Sequence, residues 1–365
     1  MSSPVSPPAN PYAGLPPRAF WRTGVAEPGL FGLKDLWASK WQLPSDARFS
    51  TFGSCFAQHI SRALVARGMN WLNAEPAPMR TPPKLAEAYN YGVFSARTGN
   101  IYTAAQLLTH VRMAAGEADP AALEVWADGP GLRDSIRPAI EPVAFADAAD
   151  LGLSRASMVR AFRRSITDAE VFVFTLGLTE GWENAATGQV YPLCPGTLAG
   201  QFDPAAHVFR NHRYPAILAD LQAAFALMWA INPGLRVLLT VSPVPLTATA
   251  AGGHVLAATM YSKSVLRAVA GDLAADDARI DYFPSYEIIS GAPTRSAFYE
   301  PNLRSVAHQG VDFVMSHFFA GLDVSAPPVH GADPAAADRM KALRAEMAAE
   351  ELVCEEMTLE GFNAA

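Results

Sequence analysis

Apolar positions along this chain fall into two kinds of run. Short, nearly unbroken runs occur at 47–53, 171–176, 237–241 and 280–283. Strands covered on both faces of a parallel sheet need such runs, because neither face is wetted. Longer segments between them carry a helical spacing. Phe56, Ile60 and Leu64 recur every four residues after the first run, and Gly68 supplies a stop. Residues 214–229 precede the third run, 254–273 precede the fourth, and 310–322 follow it as further helices. Strand and helix alternate at the spacing of an open α/β sheet, with strands expected at 48–52, 171–176, 237–241 and 280–283.

The ends read differently. The first 17 residues contain six prolines, so they cannot donate a regular ladder of backbone hydrogen bonds and are expected as an extended arm. Phe20, Trp21, Phe31, Leu36, Trp37 and Trp41 follow and are expected to dock that arm on the body. Residues 334–351 are rich in Ala, Glu, Arg and Met, a helix-forming composition. The charges of Arg339, Lys341, Arg344 and Glu346 would face solvent there. The expected division is an arm over 1–46, a body over 47–325 and a helical tail over 326–365 that offers a surface for homo-oligomer contact.

Composition narrows the function. Half of the residues are hydrophobic and the net charge is −7 without a dense basic block, which argues against nucleic-acid binding built on phosphate contacts. Three cysteines, Cys55, Cys194 and Cys354, are too few for a disulfide framework. No run approaches the roughly 18 apolar residues of a membrane span, and the proline-rich start lacks the form of a signal peptide. A soluble, cytoplasmic protein is the expectation.

The sharpest local signal is Phe52-Gly53-Ser54-Cys55-Phe56-Ala57, at the first strand-to-helix junction. Ligands of open α/β sheets bind outside the carboxyl ends of strands, and a thiol at a helix start feels the positive end of the macrodipole. Cys55 is therefore a candidate nucleophile, with Ser54 as the alternative. A purely structural role is the competing reading, with Ser54 capping the helix and Cys55 packed as a small hydrophobe. Other signals are weaker. His207 and His212, near Asp203, are five residues apart, which is not the spacing of a helical zinc pair, so no metal is expected. Cys194 lies between Pro192 and Pro195 and reads as structural. Gly252-Gly253 lacks the Lys-Ser/Thr of a phosphate loop, so no nucleotide cofactor is expected.

The run Thr51-Phe-Gly-Ser-Cys-Phe-Ala-Gln-His-Ile60 resembles the motif that names the GSCFA family, which is grouped with the SGNH hydrolases. Four further segments are similar to that family: Asn90-Tyr-Gly-Val-Phe-Ser95, Phe174-Thr-Leu-Gly-Leu-Thr-Glu180, Thr240-Val-Ser-Pro-Val-Pro245 and Tyr282-Phe-Pro-Ser-Tyr-Glu287. The resemblance implies a flavodoxin-like, three-layer α/β/α fold with a mainly parallel sheet. It also implies an esterase or O-acyltransferase site that needs no cofactor, acting on a small-molecule or glycan acyl substrate. Cys55 falls where the nucleophilic serine of the SGNH block would stand. Gly92, beside Asn90, matches the glycine that donates a backbone N–H to the oxyanion. Gly177-Leu-Thr-Glu180 occupies the third block, with Thr179 in place of the oxyanion-binding Asn.

The fourth block departs from the pattern. Where SGNH enzymes carry Asp-x-x-His, this chain reads Asn302-Leu-Arg-Ser305, so neither acid nor base is present there. His254 and His308 are the candidate replacements for the base, with His254 favoured because it follows the 242–245 strand end. Glu287 or Glu180 would orient it. A fold kept for binding or scaffolding without turnover is the alternative that the double loss supports.

Overall fold

A computed structural model describes residues 10–322 and 355–363. The expected tail helix and Cys354 lie outside these residues. Short helical turns at Pro17–Ala19, Arg22–Ala26 and Gly29–Gly32 (α1) lead into β1 (Phe49–Gly53) and α2 (Ala57–Ala66). Then come α3 (Pro83–Ala88), α4 (Ala104–Ala115), the hairpin of β2 (Val125–Asp128) and β3 (Gly131–Asp134), and α5 (Ala148–Thr167). After β4 (Val171–Leu176) the chain makes β5 (Glu180–Asn184), β6 (Val190–Tyr191) and β7 (His207–Asn211), then α6 (Tyr214–Ile231) and β8 (Arg236–Val241). The last elements of the body are α7 (Val255–Asp276), β9 (Ile280–Phe283), α8 (Ser285–Ser290) and α9 (His308–Gly321).

The four apolar runs pair as one parallel sheet in the order β1-β4-β8-β9. Beyond β1, Trp71 adds a parallel bridge to Phe49, and the Leu72 N–H donates to the Phe49 carbonyl at 2.8 Å. The chain thus leaves β1 to one side for Trp71 and crosses to the other side for β4. That reversal is a topological switch point, and its crevice opens at the carboxyl ends of β1 and β4.

Alternation along the strands divides the core between two faces. Phe172, Phe174, Val237 and Leu239 pack under α4, α5, α6 and α7, while Val171, Val173 and Leu238 pack with Ile60 and Leu64 of α2 and Val314 and Phe318 of α9. The result is a three-layer α/β/α protein. Helix α6 is long and apolar enough, by length and hydropathy alone, to cross a membrane. It also contains Asp220, and it turns Ile217, Leu221, Phe225 and Met228 into the core.

Two departures from expectation have plain causes. β5, β6 and β7 form an antiparallel sheet that the apolar pattern did not predict, because β5 and β7 are half-buried and mix charged with apolar residues. The arm docks through only some of its aromatics. Trp37 packs between Phe283 and Phe318 with ring centroids 5.2 and 5.9 Å away, and the Trp41 indole donates to the Ala278 carbonyl at 2.8 Å. Trp21 remains exposed.

Candidate active site

β1 ends on Gly53 at φ +135°. A Cβ there would lie 2.3 Å from the Thr175 carbonyl oxygen, so only glycine lets β1 approach β4 this closely while turning out of the sheet. The Ser54 N–H then donates to the Thr175 oxygen at 3.1 Å. Ser54, Cys55 and Phe56 form the turn into α2. It is closed by Ala57, Gln58 and His59, whose N–H groups donate to the carbonyls of Ser54, Cys55 and Phe56 at 2.9, 3.1 and 3.2 Å. α2 has no side-chain cap. The Ser54 hydroxyl is buried and makes no hydrogen bond among the described residues, an arrangement that costs about 1–3 kcal/mol. Cys55 is partly exposed and forms no disulfide.

The turn has close neighbours on β4. A Cβ on Gly177 would stand 3.0 Å from the Ser54 Cβ, so the third-block glycine lies against the first block. The N–H groups of Gly177 and Leu178 both donate to the Tyr102 carbonyl, at 3.2 and 2.9 Å. The buried Lys263 ammonium donates to the Gly177 carbonyl at 2.7 Å. Thr179 is also buried, and its groups are engaged: its N–H donates to Ser262 Oγ at 3.0 Å, its hydroxyl to Asn211 Oδ1 at 2.8 Å, and its carbonyl accepts from the His212 N–H at 2.7 Å.

The segment that reaches the end of β1 is 99–103, through the Ile101 N–H on the Gly53 carbonyl at 2.9 Å. Gly92 lies further along α2: its neighbour Val93 accepts from Ser61 Oγ at 3.3 Å, six residues and about 9 Å of helix beyond Cys55. The Asn90 amide donates to the carbonyls of Ala139 and Ile140 at 3.0 and 3.2 Å, which fixes a loop.

The candidate bases and acids separate. His254 caps α7, its Nδ1 accepting from the Leu256 N–H at 3.1 Å, and its ring is exposed. About 12 Å of helix lie between it and Ser262, which touches Thr179. His308 opens α9, with Nδ1 3.2 Å from Asp312 Oδ2. Its Nε2 is buried without a hydrogen-bond partner among the described residues. His308 lies near His59, which sits one turn after Cys55 with its ring 5.3 Å from that of Phe56. Burial first, then the charges of Arg62 and His308, push the His59 imidazole down to about 3.

Glu287 pairs with Arg267 and accepts from the Tyr282 hydroxyl at 2.8 Å. Glu180 accepts from Thr249 Oγ1 at 2.7 Å and is raised above the usual carboxylate range by burial. Neither carboxylate has a histidine among these partners. Asn302 and Ser305 close their own turn, the Asn302 amide donating to Ser305 Oγ at 2.9 Å. His207 accepts from the Asp203 N–H at 3.0 Å. No group of three or more His, Cys, Asp or Glu side chains able to hold a metal occurs among the described residues.

His59 and Asp312 were not singled out from the sequence. Each had a signal: His59 follows Cys55 by four residues, and Asp312 follows His308 by four, the spacing that stacks side chains on one helical face.

An open parallel sheet with the Gly53-Ser54-Cys55 turn at its switch point defines a three-layer α/β/α protein whose candidate site lies at the carboxyl ends of β1 and β4. Among known families, residues 48–318 match the GSCFA family, and this chain belongs to it. No curated protein and no solved structure matches the chain.

Proposed function

We propose that the protein is an SGNH-like esterase or O-acyltransferase in which Cys55 attacks an acyl carbonyl. The observation that carries this reading is the Gly53-Ser54-Cys55 turn. It presents a partly exposed thiol at the switch point, ahead of a helix start, where ligands of such sheets bind. Ser54, buried against Gly177, is the less accessible of the two candidates. His308 is preferred to His254 as the base because it lies near His59, one turn after Cys55, with the Asp312 carboxylate 3.2 Å from its Nδ1, whereas His254 caps the exposed start of α7.

In the first step the Cys55 proton passes to His308 Nε2 as sulfur bonds to the carbonyl carbon. The ester C–O bond then breaks, and the leaving alkoxide takes the proton from His308. Water or an acceptor hydroxyl next attacks the thioester, gives its proton to His308 and restores the thiol. The Phe56 N–H at the helix start holds the oxyanion, aided by the helix dipole, while the Ser54 N–H stays on the Thr175 carbonyl. Lys263 fixes the Gly177 peptide against the turn. An acylated carbohydrate is the substrate class that the resemblance to SGNH enzymes suggests.

The test is turnover of p-nitrophenyl acetate by the wild type and by C55A, H308A and H254A. Loss of the base should lower kcat/KM by roughly 10²–10⁴-fold in H308A, and C55A should abolish covalent turnover. H254A should stay within about threefold, since its ring caps a helix end. Full activity in C55A and H308A would overturn the assignment. A second reading, a binding protein without turnover, is favoured by Asn302 and Ser305, which bond to each other where the family pattern carries acid and base. It requires that the wild type bind an acylated glycan and turn over no ester.

A further inference from the structure

A cavity of about 320 Å³ lies past the end of β4, with Leu178 in its wall. Its walls include Leu178, Trp182, Phe209 and Leu246 of the body and Leu359 and Phe362 of the 355–363 segment. Leu178 is the residue after Gly177, and Gly177 touches Ser54, so the cavity begins one residue from the site. Leu246 follows the end of β8 and packs with Tyr102 and Leu178. The C-terminal wall is held by the Glu356 carboxylate, paired with Arg304 at 3.1 Å with both side chains nearly buried.

The polar side chains around the cavity are bonded to one another. Thr249 donates to Glu180 at 2.7 Å and Thr197 to the Cys194 carbonyl at 2.7 Å, and Glu356 answers Arg304. What faces the empty volume is aliphatic and aromatic carbon. A sugar placed there would leave its hydroxyls unpaired, at a cost for each. An acetyl group would leave most of the volume unfilled. At about 30 Å³ for a water-sized group, the cavity takes roughly ten such groups, the size of a medium-length alkyl chain.

We infer that this cavity receives the apolar acyl chain of the substrate, so the group transferred is a medium-chain acyl rather than acetyl. The inference rests on the acyl-transfer reading above. The carbonyl carbon sits at Cys55, and the chain runs past Leu178 between Trp182 and Leu246 toward Leu359 and Phe362. The alcohol part of the ester stays on the solvent side of the turn.

The experiment has two independent readouts on the full-length protein. The first is kcat/KM across p-nitrophenyl acetate, butyrate, hexanoate and octanoate. The second is calorimetric binding of sodium octanoate. Ala248 and Ala250 are exposed residues on the cavity rim, so A248W and A250W fill it without touching the core, and circular dichroism verifies their folding. The octanoate-to-acetate ratio of kcat/KM should be at least tenfold in the wild type. It should fall at least tenfold in either variant, with octanoate binding weakened in parallel. A flat series, with acetate turned over and octanoate unbound, overturns the acyl-chain cavity and leaves the enzyme reading standing. Octanoate binding that A248W and A250W weaken, with no ester turned over, does the opposite: the cavity stands and the acyl-transfer reading falls.

Discussion

Gly53 is the hinge on which the reactive turn depends, and replacing it with alanine separates backbone strain from mere loss of flexibility. At φ +135° an L-residue is strained by about 1–3 kcal/mol wherever it points. Here the new Cβ would also fall 2.3 Å from the Thr175 oxygen and 2.7 Å from the Thr175 nitrogen. Both are backbone atoms of a central strand and cannot swing aside as a side chain tip would. Relief requires β1 to draw away from β4, which breaks the Ser54 N–H bond to Thr175 and the Ile101 N–H bond to Gly53. Each such bond contributes about 1 kcal/mol. G53A should therefore cost about 3–5 kcal/mol. Gly92 is the internal control. Its φ of +78° carries the strain, but nothing lies within 4 Å of a Cβ there, so G92A should cost about 1–2 kcal/mol. Urea unfolding followed by circular dichroism gives both differences from the midpoint shift at constant m. A G53A cost no larger than that of G92A would refute the close-approach argument.

Three further outcomes are expected. Iodoacetamide at pH 7.5 should modify Cys55 before Cys194, because burial pushes the Cys194 thiol up to about 11 and leaves it almost wholly protonated; faster reaction at Cys194, read by peptide mass spectrometry, contradicts this. His59 titrates at about 3 in the folded chain and near 6.5 when unfolded, so below pH 6.5 the unfolded state takes up a proton that the folded state refuses. Its contribution makes stability fall by up to about 1.4 kcal/mol per pH unit between those values, and H59Q should remove one proton's worth of slope from the pH dependence of urea unfolding. Asp134 is fully buried between Arg137 and Arg155, at 2.7 and 2.6 Å; D134N leaves two buried guanidinium groups short of their counter-charge and should cost about 3–5 kcal/mol, whereas a cost under 1 kcal/mol would mean that solvent reaches the cluster.

The parallel sheet was legible in the sequence because both of its faces are buried. Val171–Leu176 and Arg236–Val241 are apolar on almost every residue, and nothing but a covered strand asks for that. The antiparallel sheet was not legible, since Glu180–Asn184 and His207–Asn211 are half-wetted and their pattern is that of a surface loop. The Gly53-Ser54-Cys55 turn between strand and helix was readable from its motif and its place after the first strand. Its surroundings were not. Two glycines, Gly92 and Gly99, stand at similar distances after β1, and only the long-range bond from Ile101 to Gly53 shows that the segment next to Gly99 reaches the strand end. The positions of the two candidate histidines were not legible for a related reason. His254 follows a strand end in sequence, but the intervening loop carries it to the solvent end of α7, while His308 comes to α2 through the packing of α9 on the opposite layer.

Burial of polar groups distinguishes structure from function in this chain. Around Asp134 each carboxylate oxygen faces an arginine, and Arg137 also donates to the Arg97 carbonyl at 3.0 Å and to Ser154 Oγ at 3.0 Å. A network so nearly satisfied pins the β3 end to α5, and folding alone accounts for it. At the β1 end the accounting differs. Gly53 holds a conformation that other residues resist, the Ser54 hydroxyl is buried without a hydrogen bond among the described residues, and the Lys263 ammonium is buried where it donates to the Gly177 carbonyl. The unbonded hydroxyl opposes folding, the other two are uncommon in a core, and all three converge within two residues of Cys55 or on the glycine packed against its neighbour. Locally unfavourable choices gathered at one sheet edge are the signature of a site shaped for something other than stability. This is why the search for chemistry belongs at the Ser54–Cys55 turn and not at the better-satisfied Asp134 cluster.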